Sequence, residues 1–373
     1  MIAWGAVAFA PGEVRADPPL VMAPAPSPST PDPPPKPRRY FYHGYDYGSE
    51  SLFNPASVFL NRGFDVLQLR PQNRGVFRQT YGRDFKNVMR NVASPFKAIE
   101  TEGWSKFART ELLPLSFTAT SARWVPNYGL HLIGGGVTYT MLREWFADQG
   151  MPIPAAFSIA TMYAAAFMNE TLENSNIAEG VNTDCLADLY VFDLAGILLF
   201  SIPPVNAFFS KYVIVADWSL QPAITVPNGD LHNVGNYYGV KIPIPFYDRL
   251  RLFGYVGFSS MGGLSFKIDS QYSISAAGGG RVANFENASV TSVENVVKLK
   301  PTGALFIDRN NSLLGSLQVS DVKDYFIHLN VYPNGLFKID PGIGFFTVLS
   351  RDGQWIAGLS VTKFPLGIAA GTF

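Results

Sequence analysis

Five residues carry the groups that acid–base or metal chemistry would use: His131, Glu170, Glu173, Asp188 and Asp193. Glu170 and Glu173, preceded by Asn169, are three apart, and Asp184 and Asp188 are four apart. Both spacings place two carboxyls on one helix face. Asp188 and Asp193 stand among Leu186, Leu189, Val191, Phe192 and Leu194. Burying a carboxylate there costs several kcal/mol unless it is paired or hydrogen-bonded. The candidate partners are His131, Arg143 and backbone N–H groups. On a catalytic reading the hard oxygen ligands suit a divalent cation, and His131 orients it or relays protons. On a structural reading the same groups cap helix ends and tie a bundle together. No G-x-S-x-G, H-E-x-x-H, P-loop or Rossmann pattern accompanies them. The structural reading is therefore favoured, and the cofactor, beyond a possible divalent cation, stays open.

Three apolar helical stretches must position these side chains. The first runs from about Tyr128 to Asp148 after Pro126-Asn127, with His131 in its first turn. Inside it, Gly134-Gly135-Gly136 lacks the spacing of a phosphate loop and reads as a site of close helix packing. The second runs from about Pro154 to Asn174, and the third from Thr183-Asp184 to about Ser201, where Pro203-Pro204 is expected to stop it. Thr183 or Asp184 is the expected N-cap. None offers about 20 uninterrupted apolar residues, so none reads as a membrane span. Upstream, Tyr40 to Gly48 reads as a strand or ordered loop, Asn54-Pro55 as a turn, and Asp84 to Lys106 as short amphipathic helices.

Beyond about Lys211 the texture changes to alternation. Tyr325, Ile327, Leu329 and Val331 oppose Phe326, His328, Asn330 and Tyr332. Lys298 to Ile307 and Phe337 to Leu349 alternate in the same way, and turn signals such as Asp308-Arg309-Asn310-Asn311 and Pro333-Asn334-Gly335 fall between runs. A transmembrane barrel needs such a dyad over about ten residues per strand, and about 160 residues suit a barrel of about eight strands. A soluble sandwich or lipocalin-like barrel shows the same alternation with its apolar face inward. The terminal aromatic Phe373 favours the membrane reading.

Composition bounds the rest. The 373 residues are 16% charged, 14% aromatic and 47% hydrophobic, and 29 Lys+Arg balance 29 Asp+Glu. With no net field and no basic run interleaved with aromatics, a nucleic-acid partner has no support. The lone Cys185 reads as a core residue. Residues 1–16 resemble the remnant of a secretory signal, with Val14-Arg15-Ala16 before Asp17 as a small-residue cleavage site. Residues 17–37 hold ten prolines and read as a disordered spacer.

His131, then Asn169-Glu170-x-x-Glu173, then Asp184-x-x-x-Asp188-x-x-x-x-Asp193-x-x-Gly196 resembles the pattern of VanZ-like and related small envelope families. The chain is also similar to Gram-negative envelope proteins that join such a block to a C-terminal β-domain, and Gly48-Ser49-Glu50-Ser51-Leu52-Phe53-Asn54-Pro55 fits that group. The acidic–basic pair that the first pattern has shortly before its His is replaced here by Asn127-Tyr128-Gly129-Leu130. The resemblance implies an envelope location more than a reaction.

The expected architecture is therefore α+β: a mainly helical domain over 38–211, then an antiparallel β-barrel of about eight strands over 212–373. The expected protein is exported to the Gram-negative outer membrane, with membrane lipid and the outer-membrane assembly machinery as partners. Its expected role is structural, the barrel anchoring the helical domain. The alternatives are a lipid- or envelope-modifying enzyme using the His/Glu/Asp cluster, and a narrow pore or small-ligand carrier.

Overall fold

The computed structural model describes residues 39–69, 74–114, 125–174, 181–226, 228–283, 299–338 and 340–373. The expected signal remnant and proline-rich spacer lie outside them. The chain is α+β. Its helices are α1 (Pro55–Gly63), α2 (Tyr81–Ala93), α3 (Pro95–Glu102), α4 (Trp104–Phe107), α5 (Gly135–Asp148), α6 (Pro154–Glu173), α7 (Asp184–Ala187), α8 (Asp193–Phe200) and α9 (Pro203–Lys211). A π-helical segment, Val125–Gly134, leads into α5, and another, Asp188–Phe192, joins α7 to α8.

Proline opens four of these helices. Pro55, Pro95, Pro154 and Pro203 each occupy a first-turn position, where the missing N–H is not needed and the fixed φ suits a helix. Two sequence expectations are corrected by this rule. Pro203-Pro204 ends the third helical stretch but also begins α9. Asn54-Pro55 is a helix start: Asn54 Oδ1 accepts from the N–H groups of Ala56 and Ser57, and the Ser57 hydroxyl accepts from Asn54 N, forming a capping box. Among the described residues no single helix is long and apolar enough to cross a membrane. The pair Asp184–Phe200 and Pro203–Lys211, bent by 89°, passes such a test only together.

The strands are β1 (Val215–Asp217), β2 (Ala223–Thr225), β3 (Leu231–His232), β4 (Tyr238–Ile244), β5 (Tyr247–Val256), β6 (Ser259–Lys267), β7 (Tyr272–Val282), β8 (Leu299–Arg309), β9 (Ser312–Ser320), β10 (Ile327–Val331), β11 (Ile343–Leu349), β12 (Trp355–Val361) and β13 (Gly367–Gly371). They form one mixed sheet of order β1-β4-β5-β6-β7-β8-β9-β10-β11-β12-β13-β2-β3. Among the described residues, the expected barrel of about eight strands is thus replaced by an open ladder of thirteen. Three of the added strands are only two or three residues long, too short to show alternation. The run expected from Phe337 begins pairing only at Ile343, after the cis Asp340–Pro341 bond and Gly342, whose φ of 85° breaks an extended chain.

The ladder is nevertheless strongly curled. β1 pairs with β4, and β2 pairs in parallel with β13. Laid flat, the eleven inter-strand steps from β1 to β2 at ~4.8 Å would separate them by about 53 Å. Asp217 and Ala223 are six residues apart, at most ~21 Å of chain. One segment therefore covers both long edges, and the two ends of the ladder approach each other. The cover extends beyond β1, because Trp218 and Leu220 donate backbone N–H groups to Tyr237 O and Gly235 O.

The two faces of this curled sheet differ in kind. Outward positions of β5 to β13 carry Leu264, Phe266, Ile274, Leu305, Leu317, Leu359 and Ile368, with Leu305 57% and Ile368 68% exposed. Inward positions of the same strands carry Ser265, Ser275, Asp308, Ser316, Gln318, His328, Asn330 and Ser360, all buried. Lys241 Nζ meets both carboxylate oxygens of Asp308 at 2.7 Å. Asn330 Oδ1 accepts from Gln221 and Asn233, and His328 Nε2 lies 2.8 Å from Asn233 Oδ1. An aromatic group of Trp218, Tyr237, Phe253, Tyr255 and Phe306 fills the remaining interior.

Helices α5, α6 and α8 pack on the outside of one end of this sheet, while Gln68, after α1, reaches its interior, where its Oε1 accepts from Tyr237 and Arg281 at 3.1 Å. Outward-pointing Tyr238 and Val240 join the helical core of Val137, Leu142, Met162 and Phe200. The Tyr238 hydroxyl lies 2.6 Å from Thr138 Oγ1. A strap, the Tyr40 to Gly48 stretch, lies against this core as an ordered loop. Glu144 accepts the backbone N–H groups of Tyr40, Phe41 and Tyr42 at 2.7–3.0 Å, and Glu50 those of His43, Gly44 and Tyr45 at 2.5–3.3 Å. Six successive amides are thus held by two carboxylates.

Candidate functional site: a buried charge network

Four of the chemically interesting side chains meet where the two π-helical segments face each other. His131 lies on the first, and Asp188 and Asp193 bracket the second. In a regular α-helix, residues five apart point in different directions. An i→i+5 turn stacks them, and so brings Asp188 and Asp193 to one side. His131 Nδ1 is 3.2 Å from Asp193 Oδ1, and Nε2 is 3.5 Å from Asp188 Oδ2. Arg62, from α1, completes the set: its Nη2 donates to the same Asp193 Oδ1 at 2.5 Å.

Close backbone approach makes the meeting possible. A Cβ on Gly135 would come within 3.3–3.4 Å of Arg62 Nη2 and Asp193 Oδ1. One on Gly134 would sit 2.3 Å from the Tyr238 ring, one on Gly136 2.1 Å from Phe200, and one on Gly196 2.5 Å from Leu132 O. The three successive glycines therefore serve packing, as their sequence context suggests.

The charges follow from burial and pairing. Burial alone would lower the pKa of His131, but the Asp188 and Asp193 carboxylates raise it from 6.5 to about 9. Burial raises Asp188 to about 6 against the pull of His131. Burial would also raise Asp193, but the Arg62 guanidinium and His131 hold it below the ordinary carboxylate range. Two cations thus face two carboxylates. With both ring nitrogens of a protonated His131 committed to carboxylates, no imidazole lone pair is left for a metal. Among the described residues, no group of three or more His, Cys, Asp and Glu is arranged to hold one.

Glu170 lies at the edge of this network and behaves differently. It is buried, its Oε2 has no hydrogen-bond partner, and burial together with the charges of Glu173, Asp188 and Asp184 pushes its pKa well above the ordinary value. Burial therefore favours its neutral form. Glu173, partly exposed at the end of α6, adds its charge to the field on Glu170 and Asp188. Asn169 instead donates to Asp65 Oδ1 at 2.6 Å, and burial raises Asp65 to about 7.

Sequence reasoning missed Arg62 and Asp65. Their signal was available: both interrupt the apolar run Val58-Phe59-Leu60 to Val66-Leu67, as Asp188 and Asp193 interrupt theirs. Arg143, proposed as a partner, stacks instead on the Tyr139 ring, 5.6 Å from its centroid. Asp184 begins α7 as expected, but Asn182 Oδ1 caps it by accepting Asp184 N–H at 3.0 Å. Cys185 is buried, its thiol pushed up by burial. His232 and His328 are buried, and His43 pairs with Glu50.

The arrangement is a charge-balanced tie between α1, the segment leading into α5, and α8. It can also exchange a proton between His131 and Asp188. Comparison of the chain with family models, with curated proteins and with solved structures finds no match.

Proposed function

We propose that the protein is a Gram-negative outer-membrane protein whose curled sheet sits in the lipid and holds the helical block at the membrane in a structural, anchoring role. The observation that carries this reading is the inverted polarity of the sheet. Its convex face is apolar and exposed, while its concave face is polar and buried. A soluble sheet of this size places its apolar face against a core, whereas a membrane barrel points it at lipid. Coverage of β4 and β13 by one segment serves the same end, because unpaired strand edges are not tolerated in hydrocarbon. An aromatic cluster and the Lys241–Asp308 pair occupy part of the concave face, which favours the anchoring reading over the pore or carrier alternative.

Arginine on the convex face tests the proposal. Leu264→Arg and Leu305→Arg should each weaken the refolded protein in vesicles by ~2–4 kcal/mol, as near a bilayer midplane. In water, substitutions at such exposed positions stay within about 0.5 kcal/mol. Recovery of the wild-type chain as a soluble monomer without detergent would overturn the proposal.

The enzyme alternative draws on one observation, since π-helical turns are frequent at functional sites and two of them carry His131, Asp188 and Asp193. In that case Asp188→Asn preserves the fold and abolishes a reaction. On the structural reading it lowers stability.

A further inference from the structure

The helical block carries a second surface unlike the rest of the molecule. Along α2, α3 and α4, Phe85, Met89, Phe96 and Trp104 are exposed, Phe96 by 73% and Trp104 by 53%, and the rings of the last two lie 6.3 Å apart. Between them stand exposed Arg83, Lys86, Arg90, Lys97, Lys106 and Arg109. Against these six cations, residues 81–109 hold three acids, Asp84, Glu100 and Glu102, a net of +3 in a chain whose net charge is zero. Arg83 pairs with buried Asp84 and Lys106 with Glu102, so the net excess is carried by the other cations. Phe85 and Met89 also wall an apolar groove of about 510 Å³ against Phe167 and Met168 of α6.

Large aromatics exposed beside lysine and arginine are poorly placed in bulk water and well placed at a lipid headgroup layer. There the rings enter the boundary and the cations meet phosphate. The charge sign selects the lipid: an anionic leaflet attracts clustered basic residues, and a zwitterionic one does so far less. These helices join the rest of the molecule through Val88, Val92, Ala98, Ile99 and Phe107, which pack with Ala166, Cys185 and Leu189, and so leave the aromatic and basic side uncovered. We infer that α2, α3 and α4 form a docking face for an anionic phospholipid surface, with Phe96 and Trp104 entering the boundary and Lys86 and Lys97 facing headgroup phosphates. The inference rests on the outer-membrane reading for the presence of a membrane beside the helices.

The full-length chain, reconstituted in vesicles of phosphatidylcholine alone or mixed with phosphatidylglycerol, tests it by backbone hydrogen exchange. Amides of residues 81–109 should exchange at least ~tenfold more slowly in the mixed vesicles. The double variants Lys86→Glu/Lys97→Glu and Phe96→Ser/Trp104→Ser, all at exposed positions, should lose that difference. Equal exchange of these amides in both lipids, or a difference that survives both double variants, overturns the inference. Insertion of the sheet is read separately, from protection of β5 to β9 in either lipid. Its failure sinks the outer-membrane reading, and the docking face is then judged by the same amides on chain mixed with preformed vesicles, where slowing supports it and no slowing overturns it.

Discussion

His131→Gln isolates the energetic role of the buried network. In the folded chain His131 keeps only 16% of its side chain exposed and lies between Asp188 and Asp193. Burial disfavours its charge, but the two carboxylates outweigh that, so its pKa rises from 6.5 to about 9. A base whose pKa is raised by folding contributes stability that is complete below pH 6.5 and lost as pH climbs through 9. At about 1.36 kcal/mol per unit, the contribution is ~3 kcal/mol. Glutamine keeps a hydrogen-bonding group but cannot carry the charge. The wild type should therefore exceed the variant by ~3 kcal/mol near pH 6. The gap should shrink to the pH-independent packing loss at pH 9 and above. Urea unfolding followed by the helical circular dichroism signal measures it. A gap of equal size at both pH values would refute the electrostatic account, because it would show that His131 serves by shape alone.

Other predictions follow from the same structure. Burial raises Asp188 to about 6 and Asp65 to about 7, so the folded state holds their protons longer than the unfolded state does. Wild-type stability should fall between about pH 4 and pH 7, and a flat profile there, by the same urea assay, would contradict it. Asp188→Ala and Asp193→Ala should each destabilise the helices by ~3–5 kcal/mol, since each leaves a cation buried with one partner fewer. Wild-type melting of Asp188→Ala would show the acid to be dispensable. Lys241→Met should cost a similar ~3–5 kcal/mol by stranding Asp308 on the concave face, and the double variant Lys241→Met/Asp308→Leu should recover most of it. Glu144→Gln should loosen the hold on the Tyr40–Tyr42 amides and speed tryptic cleavage after the exposed Arg39, which a digestion time course reads directly.

How much of this was legible from residues alone differs by element. The helices around the charged cluster were, because long apolar periodicity survives in sequence: Pro154 to Asn174 was expected, and α6 is Pro154–Glu173. So was the sense of alternation in β10, where His328 and Asn330 point inward and Ile327 and Leu329 outward. The strand count was not. β1, β2 and β3 are defined by distant partners rather than by pattern. Of the site, the cost of burying carboxylates named His131 as one of three candidate partners for Asp188 and Asp193, and its ring lies between them. The role of Arg62 depends on α1 folding back against the segment leading into α5, a long-range contact that local spacing does not encode.

The parallel pairing of β2 with β13 also fixes an order of assembly. From β4 to β13 each strand pairs with its neighbour in sequence, so the ladder can grow hairpin by hairpin as the chain emerges. The seam cannot. Ala223 pairs with Gly367, 144 residues later, and closing so long a loop is slow compared with hairpin formation. Until the final strand arrives, β2 presents an unsatisfied edge and the apolar convex face stays uncommitted, a state prone to wrong partners. A chain shortened by its last seven residues, Gly367 to Phe373, would keep most of its contacts and lack its seam. It should accumulate as an aggregating intermediate rather than as a slightly weakened native protein.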